Sequence, residues 1–171
     1  MKIRRATQAE LADVARLCWD YRAFLATRVD HVPDILEKYY AEDSYAALLA
    51  DLPRIHARPK GDILVVDLNG QIAGCAMYYE HSPKTCEIKR MFLDETARGT
   101  GAATALIKDA MRRAAQDGHT RMVLDTIHTL HEAIGLYERL GFTPCAPFYD
   151  PDPAYIHTLR FMDYALNRVG S

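Results

Sequence analysis

The pair Asn69-Gly70 lies between the β-branched run Ile63-Leu64-Val65-Val66 and a second extended run from Gln71 to Tyr79, and it constrains the fold more than any other feature. A two-residue hairpin turn that matches strand twist needs positive φ at both central positions, which Asn and Gly tolerate best. The middle of the chain is therefore an antiparallel meander. Ser82-Pro83-Lys84 marks the next reversal, and Cys86 to Leu93 supplies a third strand.

On either side of the meander the period becomes helical. Ile3 to Ala6 reads as a short extended piece. Thr7 then precedes Glu10 by three, a capping box that opens a helix. Leu11, Val14, Ala15, Leu17 and Cys18 carry that helix to Phe24 or beyond. A second helix is expected from Pro33-Asp34 and a third from Tyr45 to about Leu52, closed by Pro53, with a loop from Arg54 to Gly61. After the meander come a helix from Gly101 to Gln116 with Gly118 at C′, a strand from Arg121 to Asp125 and a helix from His131 to Leu140 ended by Gly141. Phe142 begins another extended piece, Phe148 to Pro153 is a proline-bearing loop, and Ile156 to Ala165 is the last strand. The class is α+β: a mixed sheet with helices packed on it. With 171 residues and no repeat, linker or low-complexity tract, the expectation is one domain over 1–171.

Composition removes several functions. Twenty-one Lys and Arg against 23 Asp and Glu leave a charge of −2, so a general electrostatic hold on nucleic acid is not expected. Cys18, Cys75, Cys86 and Cys145 fall in four segments without a CxxC pair, which predicts neither a metal site nor a disulfide framework. The first three have apolar neighbours and read as buried thiols. Met1 to Arg5 carries charge but no apolar stretch follows it, and no run approaches the ~18 apolar residues of a membrane span. A cytoplasmic protein without a membrane partner is expected.

The stretch Arg98-Gly99-Thr100-Gly101-Ala102-Ala103, between a strand and a helix, carries the chemistry. Glycines let the backbone turn its N–H groups toward a ligand, and the helix start adds unpaired donors and partial positive charge. The product is a phosphate or pyrophosphate site, with Arg98 adding charge. A P-loop would need Lys-Ser/Thr where Ala102-Ala103 stand. The dinucleotide fingerprint would need Gly or Ala at Thr104 and a preceding strand that opens a parallel βαβ unit.

The chain resembles the GNAT superfamily of acetyl-CoA-dependent N-acetyltransferases. Arg98-x-x-Gly101-x-Ala103 matches the family's Q/R-x-x-G-x-G/A motif, and Ala133-Ile134-Gly135-Leu136-Tyr137-Glu138-Arg139-Leu140-Gly141-Phe142 matches its second signature. Ile3-Arg4-Arg5-Ala6-Thr7, Glu87-Ile88-Lys89-Arg90-Met91-Phe92-Leu93, Leu124-Asp125-Thr126 and Tyr149-Asp150-Pro151 look like a bacterial subgroup of mostly unassigned substrate. The resemblance implies a central, mostly antiparallel sheet with splayed parallel strands and helices on both faces. Dimers are common in the family, so a homodimer is a possible partner arrangement.

It also implies roles. Backbone groups of Met91, Phe92 and Leu93 would pair with the pantetheine arm of acetyl-CoA as an added strand would. Amides from Gly99, Thr100, Gly101, Ala102 and Ala103 would hold the pyrophosphate, and a backbone N–H near Met91 would stabilise the oxyanion formed when an amine attacks the thioester directly. Tyr137 aligns with the tyrosine that protonates the departing thiolate; its ordinary alternative is a core aromatic with a satisfied hydroxyl. Glu87 stands where histone-type members carry a base for the acceptor ammonium; its alternative is a carboxylate paired with Lys89 or Arg90. Adjacent on a strand, Lys89 and Arg90 should face opposite sides; each reads first as a solvated or ion-paired charge, with contact from one of them to an acceptor's carboxylate as the alternative. Tyr149, Asp150 and Asp152 would overhang the acceptor, and His128 and His131 flank the last helix. Tyr39, Tyr40 and Tyr45 read as core packing, with an aromatic wall of the acceptor site as the alternative. Leu130 departs from the family's frequent Asn, removing a polar cofactor contact.

The expected activity is acetyl transfer to the amine of a small or amino-acid-like molecule in a ternary complex, without metal and without a covalent enzyme intermediate. The rivals are a non-catalytic acyl-CoA-binding regulatory module and acetylation of a protein N-terminus or lysine.

Overall fold

The hairpin forms where Asn69-Gly70 places it. Strands β2 (Asp62–Leu68) and β3 (Gln71–Ser82) pair antiparallel, and Asn69 and Gly70 take φ of 57° and 92°. Strand β4 (Thr85–Leu93) folds back on β3, and β1 (Lys2–Arg5) pairs with β2 on the far side. The computed structural model describes residues 1–29, 31–32 and 34–166. In these, β5 (Arg121–Ile127), β6 (Thr143–Pro144) and β7 (Leu159–Ala165) complete a seven-stranded sheet ordered β1-β2-β3-β4-β5-β7-β6. Every pairing is antiparallel except β4 with β5.

That parallel pair is short. It holds only at Thr85↔Arg121, Cys86↔Met122 and Glu87↔Val123, and beyond Glu87 the two strands part. Helix α5 (Ala102–Gln116) covers one face of the sheet, burying Leu106, Ile107 and Ala110 against Leu64, Val66 and Tyr78. On the other face α1 (Leu11–Ala26) and α3 (Glu42–Ala50) bury Val14, Leu17 and Tyr45 against Val65, Cys75 and Met77. Each fully buried side chain of this size contributes about 1.5–3 kcal/mol. Cys18, Cys75 and Cys86 are buried free thiols, as their neighbours in sequence imply.

The capping box forms: the Thr7 N–H donates to Glu10 Oε2 at 2.8 Å, ahead of a 3₁₀ turn that runs into α1. Three boundaries differ from expectation. The helix expected from Tyr45 begins at Glu42. Pro53 does not end it but sits in the first turn of a separate short helix, α4 (Leu52–Ile55), where its missing N–H has no helical partner to lose. The last strand begins at Leu159 rather than Ile156, because Pro153 to Thr158 form consecutive turns. Helix α2 runs Asp34–Tyr40, and its expected start at Pro33 lies outside the described residues. Among the described residues no helix is long and apolar enough to cross a membrane.

Candidate active site

A cavity of about 730 Å³ opens where β4 and β5 part. Residues 88–93 of β4 and 125–127 of β5 line it. So do the loop into α5, α6 (His131–Arg139) and the helices α1 to α3.

At one end the wall is main chain. Gly99 and Gly101 have φ of 73° and 83°, and a Cβ on either would meet nothing within 4 Å. Glycine is therefore demanded by the dihedral, not by crowding. The first helical bond of α5 runs from Ala105 N–H to Gly101 O at 3.1 Å, so the preceding N–H groups of Ala103 and Thr104 have no intrahelical acceptor, and both residues line the cavity. Arg98 donates from Nε to Leu93 O at 3.2 Å, and its guanidinium lies 5.8 and 5.7 Å from the ring centres of Phe24 and Phe92. Thr100 does not line the cavity: its hydroxyl donates to Ala97 O at 2.7 Å and accepts from Ala102 N–H at 3.3 Å, holding the turn itself. A turn of αL glycines that leads inward-facing N–H groups into a helix suits a pyrophosphate.

The middle of β4 corrects a sequence expectation. Met77 pairs with Lys89 and Cys75 with Phe92, so Ala76 alone stands opposite both Arg90 and Met91. This β-bulge is taken up by Arg90 at φ 52°, a conformation that costs a branched or long side chain of order 1–3 kcal/mol. Alternation fails across it, and Lys89 and Arg90 share a face. The Lys89 ammonium donates to Glu87 Oε1 at 2.7 Å, and Arg90 Nη1 lies 4.0 Å from Met77 Sδ, while Ile88 and Met91 pack toward α5. Both Lys89 and Arg90 line the cavity.

At the other end the wall is side chain. Lys89 lies between two carboxylates, with Asp125 Oδ1 at 3.8 Å on its second side. Burial pulls its pKa down, but Asp125 and Glu87 more than offset this and hold it above the ordinary lysine value. Tyr149 donates from its hydroxyl to Asp125 Oδ2 at 2.9 Å. Tyr137 is buried at the cavity wall, and its hydroxyl takes no hydrogen-bond partner among the described residues. Burial, with the charge of Asp125, pushes its phenol well above the usual 10.

Comparisons with known proteins agree with this geometry. The model of the acetyltransferase (GNAT) family matches residues 17–142. The chain belongs to the GNAT family. An uncharacterised N-acetyltransferase of Schizosaccharomyces pombe is 34% identical over 112 residues, covering 64% of this chain and 69% of that one. An IAA acetyltransferase of Azospirillum brasilense is 32% identical over 131 residues, covering 72% of this chain and 86% of that one. The structure of a Salmonella typhimurium acetyltransferase with its cofactor acetyl-CoA superposes with a TM-score of 0.68 over 100% of this chain and 96% of the other, at 19% identity. This GNAT chain is an acyltransferase, and its loop and strand edges fit an acyl-CoA.

Within that frame the expected site residues divide. Met91, Phe92, Leu93, Arg98, Gly99, Gly101, Ala102, Ala103, Tyr137, Lys89, Arg90 and Tyr149 line one cavity. Glu87 does not. Its carboxylate is 2% exposed, accepts from the Tyr79 hydroxyl as well as from Lys89, and has His81 Nδ1 at 3.7 Å. His128 turns Nδ1 to Thr158 O at 3.2 Å, and neither it nor His131 lines the cavity. Asp150 and Asp152 stay outside as well. Tyr39, Tyr40 and Tyr45 do form a wall, although Tyr45 also belongs to the core through its bond to Cys18 O at 3.0 Å. Leu130 is buried with Leu25, Val29, Ile35 and Ile127, tying α1 and α2 to the end of β5. In the sequence Asp125 stands out only as part of the Leu124-Asp125-Thr126 stretch, with no role of its own. Its signal was a lone carboxylate after the apolar run Met122-Val123-Leu124.

Proposed function

We propose that the protein transfers the acetyl group of acetyl-CoA to the amine of a small, amino-acid-like acceptor, by direct attack in a ternary complex. One observation supports this reading: the glycine turn at Gly99 and Gly101, Tyr137 and Asp125 all line a single cavity. Acetyl-CoA supplies an activated thioester when bound, and the rest is done by residues of this chain. The edge of β4 at Met91 to Leu93 holds the pantetheine arm, and the Gly99–Ala103 turn and Arg98 hold the pyrophosphate. The bulge interrupts the regular β3 register there, and a main-chain N–H near Met91 would donate to the charge that develops on the carbonyl oxygen.

Tyr137 keeps its proton at neutral pH and offers it to the departing sulfur. A thiol of pKa ~8.5 is already a fair leaving group, so this contribution is tens-fold rather than thousands-fold. The acceptor ammonium must lose a proton before attack. Asp125 takes it in preference to Glu87, because Asp125 lines the cavity, whereas Glu87 is buried outside it. Glu87 is then a positioning residue for Lys89.

A small acceptor is favoured over a protein tail by the roof. Lys38 of α2 reaches Asp152 at 3.2 Å, and the rings of Tyr39 and Tyr155 meet edge to face at 5.8 Å, joining α2 to the loop after Tyr149. Initial rates with acetyl-CoA and an amine panel, read as free thiol, should give intersecting lines. Parallel lines would exclude direct transfer, and acetyl-CoA binding without turnover on any amine would leave a binding module.

A further inference from the structure

Among the described residues only two buried side-chain nitrogen or oxygen atoms have no hydrogen-bond partner, His56 Nε2 and Arg90 Nε, and only Arg90 lines the cavity. The other cavity cations are placed differently. Lys89 is neutralised by Glu87 and Asp125, and Arg28 pairs with Glu132 at 3.4 Å. Arg98 is bonded to Leu93 O at the pyrophosphate turn, and Arg139 is exposed on α6. Arg90 has no carboxylate within salt-bridge distance among the described residues; its guanidinium touches Met77 Sδ. Arg90 is half-buried, and a cation withdrawn from water without a counter-charge is costly. The backbone nonetheless adopts a left-handed conformation at Arg90 itself, and the resulting bulge puts its side chain on the same face as Lys89.

We infer that Arg90 is the anchor for a carboxylate of the acceptor, so that the substrate class is amines that also carry a carboxylate, such as free amino acids. A carboxylate matches the fork of a guanidinium in two parallel hydrogen bonds and would supply the missing counter-charge from the cavity side. The acceptor's two ends then meet opposite charges, the carboxylate at Arg90 and the ammonium at Asp125. Tyr40 and Tyr45 line the same cavity as Arg90. This inference rests on the acetyl-transfer reading only for the identity of the acceptor; the carboxylate site is tested without turnover.

The test pairs each ligand with its uncharged twin. N-acetyl-L-amino acids and the corresponding N-acetyl amino acid amides are added to the whole protein and thermal unfolding is followed. At equal millimolar concentration the acids should raise the unfolding temperature of the wild type and the amides should not. In Arg90→Gln that difference should vanish, and in Arg90→Lys, which keeps the charge but loses the fork, it should fall by more than half. In the thiol-release assay, free amino acids should exceed their amides at least tenfold in kcat/KM, with the ratio falling to within threefold of one in Arg90→Gln. Equal stabilisation by acids and amides in the wild type overturns the inference, even if Arg90→Gln does not fold. So does an acid–amide difference that survives the substitution. Turnover of amides as fast as acids overturns the inference while leaving acetyl transfer standing. Carboxylate stabilisation without turnover of any amine supports the Arg90 site and overturns acetyl transfer instead.

Discussion

The two ends of the cavity are built from different material. The end proposed for the cofactor is main chain: two glycines at positive φ, a helix start and the edge of a parted strand. The end proposed for the acceptor is side chain, drawn from β4, β5, α1 to α3 and the loop around Tyr149. Main-chain geometry depends on short local spellings, whereas a side-chain wall depends on which distant elements the fold brings together. The first kind of site can stay the same while the second changes, which suits one cosubstrate shared by enzymes with many acceptors.

The contrast can be broken at four points, the largest effect first. The acceptor end rests on buried polar supports, among them His56, 3% exposed and edge to face with Tyr79, the donor to Glu87. Burial lowers the His56 pKa from 6.5 to about 4. Between those values the unfolded chain binds a proton that the folded one refuses, so stability falls as pH falls, by about 3 kcal/mol over the window. Urea unfolding at steps from pH 7 to 4 should show this loss, and His56→Gln should show a correspondingly shallower slope; parallel slopes would remove His56 from the account. Next, Gly101→Val forces a β-branched residue to φ 83° and should weaken acetyl-CoA binding about 100-fold by calorimetry. A loss below fivefold would mean that the turn is not the cofactor site.

Tyr137→Phe should lower kcat about 30-fold while acetyl-CoA affinity changes less than threefold. A fall in affinity alone would make Tyr137 part of the cofactor wall. Asp125→Asn should lower kcat about tenfold, the smallest effect of the four. If Glu87→Gln costs more in kcat than Asp125→Asn, the proton goes to Glu87 after all.

The same contrast explains what could be read from the sequence. Asn69-Gly70, the Gly99 and Gly101 turn, Gly118 and Gly141 all stand at positive φ, because local chain chemistry decides such positions without help from the rest of the fold. Lys89 and Arg90 misled because a bulge is a property of two strands in register, and nothing between Glu87 and Leu93 spells it. Pro53 misled because proline opens a helix as readily as it ends one. Tyr39, Tyr40 and Tyr45 carry the same apolar spacing whether they pack in a core or line a cavity, and only tertiary placement separates the two.

The parting of β4 and β5 also bears on the free protein. Beyond Glu87, two strand edges face each other across a gap too wide for a ladder, and the sheet is fastened there by only three residue pairs. A ligand that pairs with the edge of β4 is then a missing strand, and main-chain amides from Ile88 to Leu93 should exchange with solvent more slowly once it is seated. Until then the open seam is also the place where a second extended chain could add itself.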